Sequence, residues 1–117
     1  MRNMRGGFAI FRLKRIRKKI AMTTLSNVYQ SIARATHDHG ATTMFGLMGD
    51  ANLFMVDSFV RDFGGRFVPA AHEGSTILMA AAYAHVSGKV GVATVTHGPA
   101  LTNCITTLTE AVRAHAP

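Results

Sequence analysis

In 117 residues, 48% hydrophobic and 16% charged, the chain holds one small domain with a buried core, which excludes a mainly disordered protein. The formal charge of +7 belongs to the first 21 residues, which carry eight Lys and Arg and no acid; from Met22 onward five basic side chains meet six acidic ones, so no nucleic-acid or membrane partner is expected of that part. Cys104 stands alone, which excludes an internal disulfide and suits a reducing, cytoplasmic setting, and no apolar run nears the roughly 20 residues that span a bilayer.

Residues 1–21 form a basic leader in which Leu13, Ile16 and Ile20 would share a helical face. Its interleaved basic residues argue against a secretory signal. Two readings stay open: a transit peptide or membrane-surface helix, and an upstream extension ahead of a start at Met22. The break in composition at Met22 favours the second, with the leader disordered or outside the fold and the domain at 22–117. Deleting residues 1–21 should then leave the melting temperature nearly unchanged.

Thr23 and Thr24 offer N-caps to a first helix, whose Leu25, Val28, Tyr29 and Ile32 recur at helical spacing and which Gly40 ends. Thr43 to Leu47 reads as a strand. Leu53, Val56, Phe59, Val60 and Phe63 form a second helical stripe, stopped by Gly64-Gly65, and Arg66 to Ala70 reads as a second strand. Gly74 to Ser87, ended by Gly88, is a helix apolar on nearly every side, as one buried in a core or against a partner is. Val90 to Val95 is the clearest strand, and Leu101, Ile105, Leu108 and Val112 mark a last helix with Thr102, Thr106 and Arg113 opposite. This alternation predicts an α/β fold: a parallel sheet with right-handed crossovers and helices on both faces. Three strands make a thin sheet, so a truncated domain is expected.

In such a sheet ligands gather at the carboxyl ends of the strands. Gly46-Leu47-Met48-Gly49-Asp50, His72-Glu73-Gly74 and Thr96-His97-Gly98-Pro99 all fall there, with Glu73 and Gly98 expected at neighbouring strand ends. Each has an ordinary reading as well. Gly49-Asp50 suits a tight turn with Asp50 capping the next helix, Glu73 suits the positive end of a helix dipole, and His72 and His97 suit loops. His37 and His39 are two apart and share no helix face, so no metal site is expected. Neither a Walker phosphate loop nor a dinucleotide glycine triplet occurs.

The run His72-Glu73-Gly74-Ser75, with Ala82-Tyr83-Ala84, Ser87-Gly88-Lys89, Val90-Gly91-Val92, Thr96-His97-Gly98-Pro99 and Thr102-Asn103, resembles the acetolactate-synthase-like branch of the thiamine-diphosphate-dependent enzymes. Phe45-Gly46-Leu47-Met48-Gly49-Asp50 resembles that family's first-strand loop, and the resemblance runs from about Leu25 to Pro117. It implies a partial pyrimidine-binding domain. Glu73 would bond N1′ of the cofactor's aminopyrimidine and favour the tautomer that removes the thiazolium C2 proton. Gly49, Thr96, Gly98, Pro99 and Asn103 would join Glu73 around the cofactor. The implied reaction is decarboxylation or carboligation of a 2-keto acid, with Ile77, Leu78 and Met79 supplying apolar surroundings to the carboxyl group. The resemblance further implies a site built between subunits of a homodimer or larger assembly, and Mg²⁺ and diphosphate held by a domain absent from this chain, which alone would be inactive. Some members also carry flavin, and the resemblance does not choose. The sequence departs from the family at Ala100 and Ala82, where relatives carry glycine, and at His97, where a small residue is common. Two other functions compete: a nucleotide-binding or regulatory α/β module without catalysis, and nucleic-acid or membrane binding by the leader.

Overall fold

The computed structural model describes residues 27–117; the leader, Thr23, Thr24 and Leu25 lie outside the described residues. The first described helix, α1 (Val28–Asp38), starts at the N-cap Asn27, whose backbone N–H donates to Gln30 Oε1 at 3.1 Å. It is followed by β1 (Thr43–Gly46), α2 (Leu53–Arg61), β2 (Arg66–Pro69), α3 (Glu73–Ser87), β3 (Val92–Thr94), the short α4 (Pro99–Thr102) and α5 (Ile105–Arg113).

The three strands form one parallel sheet in the order β2-β1-β3. Thr43 to Gly46 pair with Arg66 to Pro69 on one side, and Met44 to Gly46 with Val92 to Thr94 on the other. Consecutive residues of β1 point to opposite faces, and helices cover both. Met44 packs with Ala33 of α1 and Val56 and Phe59 of α2. Phe45 meets the ring of Tyr83 on α3, centroids 5.5 Å apart. Phe59 is fully buried, a burial worth roughly 1.5–3 kcal/mol.

Several expectations need correction. Gly98 follows β3 and Glu73 follows β2, and these are the two edge strands with β1 between them, so their ends are not neighbours. The crossover from β2 to β3 carries α3 over β1, which places a topological switch point between β1 and β3. The last helix is two helices, because the hydrogen-bond ladder tightens at Asn103-Cys104: Cys104 N–H donates to Leu101 O at 3.1 Å before Leu108 N–H restarts the longer pattern on Cys104 O at 2.8 Å. The apolar stripe of that region faces outward, with Leu101, Ile105, Leu108 and Val112 exposed and Ala100 and Cys104 buried. Likewise α3 buries its small residues Gly74, Thr76, Ala80 and Ala84 while Leu78 and Val86 are exposed. Small side chains let a helix lie close to a sheet, and the bulkier ones then point away from it. On α1, Val28 and Ile32 are exposed, and Ala33 is buried in the core with Met44, Val56 and Phe59.

Candidate active site

Three loops leave the carboxyl ends of the strands. The first, residues 47–52, is tied down by Asn52, which is buried. Its Oδ1 accepts from Gly49 N–H at 2.8 Å, and its Nδ2 donates to Leu47 O at 3.2 Å and Thr94 Oγ1 at 3.1 Å. Asn52, and not Asp50, is the N-cap residue of α2. Leu47 N–H donates to Thr94 O at 3.1 Å and Ala51 N–H to Thr96 Oγ1 at 3.4 Å, so the first loop leans on β3 and the third loop across the switch point. The contact is close: a Cβ on Gly49 would stand 2.7 Å from Thr96 Cβ.

The second loop extends the β1–β2 pairing by one bond, Ala70 N–H to Gly46 O at 2.9 Å, and then turns into α3. His72 is the N-cap, its Nδ1 accepting from Gly74 N–H at 3.1 Å, so a neutral ring carries its proton on Nε2. Glu73 is the first residue of α3 and half exposed. Its own backbone amide and then the Asn103 side chain hold its carboxyl group below the usual carboxylate range, outweighing the cost of partial burial; the nearby His72 adds to the lowering. The apolar, water-poor setting expected for Glu73 is therefore not supplied by these residues alone. Ile77 lines a groove on the far side of α3, and Leu78 points outward.

The third loop passes Thr96, whose Oγ1 lies 3.3 Å from His97 Nδ1, and reaches Gly98 at φ 67° and ψ −127°. That positive φ suits glycine. Pro99 then opens α4, where its missing N–H costs nothing. At the far end of α4, Asn103 Nδ2 donates to Glu73 Oε2 at 3.1 Å. The six candidates thus form two contacts, Gly49 with Thr96 and Glu73 with Asn103, while Gly98 and Pro99 shape the turn that connects them. Cys104, next to Asn103, is buried, and burial followed by the charge of Glu73 pushes its thiol up. Among the described residues no group of three or more His, Cys, Asp and Glu is arranged to hold a metal ion. Asn52 was missing from the sequence reading; an asparagine three residues after a loop glycine and just ahead of a helical stripe was the available signal.

Residues 26–117 match the pattern described as thiamine pyrophosphate enzyme, N-terminal TPP binding domain. The chain belongs to this family. Relatives include a sulfoacetaldehyde acetyltransferase from Alcaligenes xylosoxydans xylosoxydans, 40% identical over 79 residues, which are 68% of this chain and 13% of that protein. A 2-hydroxyacyl-CoA lyase 2 from Danio rerio and an acetolactate synthase from Mycobacterium leprae (strain TN) are each 36% identical over 88 residues, 75% of this chain and 14% of theirs. The chain therefore spans a small part of the length of these family members. Its parallel α/β sheet is consistent with the family's N-terminal domain, and the family implies thiamine diphosphate as cofactor.

The residues present fit one end of that cofactor. Segments 46–52, 70–75 and 95–103 contain no Lys or Arg, so the edge offers no cation to a diphosphate. It does offer a carboxylate held by an amide, the natural partner of a ring nitrogen that gains or shares a proton.

Proposed function

We propose that the strand-end edge of this domain holds the aminopyrimidine of thiamine diphosphate, in an enzyme that decarboxylates a 2-keto acid or ligates it to a second carbonyl compound. The observation that carries the reading is the Glu73 carboxylate, held by Asn103 at an edge whose segments contain no Lys or Arg. When bound, thiamine diphosphate supplies the carbon centre that takes up the negative charge left by departing carbon dioxide. Glu73 accepts and returns a proton at N1′ of the pyrimidine. Gly49 and Thr96 wall the pyrimidine, Gly98 and Pro99 set the loop beside it, and Asn103 borders the carboxylate.

The diphosphate and its Mg²⁺ belong to groups outside residues 27–117, a reading supported by the lack of Lys and Arg in the described strand-end segments. We further assign the protein to a homodimer or larger assembly in the cytoplasm. Support comes from the exposed apolar residues Leu101, Ile105, Leu108 and Val112, which recur at helical spacing along α4 and α5. No helix among the described residues is long and apolar enough to cross a membrane.

Hydrogen–deuterium exchange at cofactor C2, measured in the cofactor-loaded enzyme, tests the assignment of Glu73. Glu73→Gln keeps the shape and can still meet N1′ but cannot exchange a proton with it. Exchange should slow by roughly 10²–10⁴-fold, the usual worth of a positioned acid–base group. Equal rates in wild type and variant would remove Glu73 from the chemistry.

A further inference from the structure

Glu73 opens α3. Among the described residues, the side chain that hydrogen-bonds its carboxylate comes from 30 residues further along the chain, at the turn between α4 and α5. That turn is anchored on three sides. Asn103 N–H donates to Pro99 O at 2.9 Å, which ties the turn back to the start of α4. Cys104 is buried beside it, with Sγ donating to Ala100 O at 3.4 Å. Against α3, a Cβ on Gly74 would lie 3.3 Å from Thr107 Cγ2 and 3.4 Å from Asn103 O, so the turn rests on the residue next to Glu73. The break in the last helix is what brings Asn103 there.

We propose that Asn103 is the positioning residue for Glu73, its amide N–H holding Oε2 so that the carboxylate faces the strand-end edge in one orientation. The proposal rests on reading Glu73 as the acid–base partner of the pyrimidine, and it gives Asn103 a role through Glu73 in place of direct cofactor contact. The chemistry selects an amide here. A carboxylate only accepts hydrogen bonds, so its neighbour must donate, and an uncharged donor orients the group without forming an ion pair that would compete with a ring nitrogen. The same bond is among the causes that favour the anion. His72 at the N-cap also acts on this carboxyl group, and the carboxylate in turn helps push up the buried Cys104 thiol across the turn.

The chain suits a direct test because it has two glutamates, Glu73 and Glu110. With glutamate labelled at the side-chain carboxyl carbon, an NMR pH titration of the full chain follows both. Asn103→Ala should move the Glu73 midpoint upward and leave Glu110 in place. Asn103→Asp, of equal size, should move it further, because a second carboxylate then faces the first. A Glu73 midpoint that is the same in wild type, Asn103→Ala and Asn103→Asp overturns the proposal. The Glu110 midpoint and the thermal transition report whether each variant folds, and the isosteric Asn103→Asp decides should the alanine variant not fold. Thiamine added to the wild-type chain judges the underlying assignment separately. A Glu73 signal that responds to Asn103 but ignores thiamine supports the positioning role and counts against the cofactor reading alone.

Discussion

At the scale of single residues, the ionisation of Glu73 has a consequence for stability. Hydrogen bonds lower its titration midpoint in the folded chain. A carboxyl group depressed on folding stabilises the fold above its unfolded midpoint, and that contribution disappears as pH falls through the folded midpoint. Melting temperatures of wild type and Glu73→Gln should therefore differ by a constant amount at neutral pH. The gap should close as the buffer passes below the ordinary glutamate range. Two melting curves that stay parallel through acid would contradict the observed hydrogen bonding of this carboxylate. The motif His72-Glu73-Gly74 was legible as a strand-end acid in the sequence, but its partner was not, because the bond to Asn103 depends on where a helix breaks.

At the scale of elements, the first loop is held to itself and to β3 by one buried side chain. Asn52 makes three hydrogen bonds that join the β1 loop to itself and to Thr94 on β3. Asn52→Ala would leave Gly49 N–H, Leu47 C=O and Thr94 OH without that partner. Unmet polar groups of this kind typically cost about 1–3 kcal/mol, so chemical denaturation should show a loss in that range. A loss below about 0.5 kcal/mol, the scale of an ordinary surface substitution, would mean that water replaces the asparagine without penalty. Gly49→Ala probes the same contact from the other side. The added methyl group would meet Thr96 Cβ at 2.7 Å, so the loops must part. Overpacking of this sort costs typically about 1–3 kcal/mol, and replacing Thr96 by Gly in the same chain should recover part of it.

At the scale of the whole molecule, the distribution of charge separates the two ends of the proposed cofactor. Because the strand-end segments lack Lys and Arg, the diphosphate gains nothing from them. Calorimetry on this chain should find thiamine and thiamine diphosphate bound weakly and with affinities within a few-fold of each other, roughly the effect of one or two weak surface charge interactions. Added Mg²⁺ should change neither. Tight, Mg²⁺-dependent binding of the diphosphate form alone would show that this chain holds the charged end. Two apolar grooves among the described residues lie elsewhere, of about 320 Å³ beside Ile77, Ala93 and Leu108 and of about 300 Å³ beside Leu78, Val86 and Ala114. They flank α3 and α5 rather than the carboxylate.

The sequence by itself determined the alternation of helices and strands, because periodicity and glycine stops are local properties of the chain, and it determined which loops fall at the carboxyl ends of the strands. Local pattern also singled out Glu73, Gly98 and Pro99, whose backbone and helix-end preferences are written in their residue types. Only the tertiary structure decided the strand order β2-β1-β3, since hydrophobic pattern does not say on which side of β1 the third strand will pair. It decided which apolar stripes face inward as well. On α3 and along the α4–α5 region, close packing selects the small residues Ala80, Ala84, Ala100 and Cys104 for burial, so the larger Leu78, Leu101 and Ile105 that dominate a periodicity count stand outside. The meeting of Glu73 with Asn103 belongs to the same class: it follows from a helix broken at Asn103-Cys104 and packed on Gly74, and no spacing along the chain encodes it.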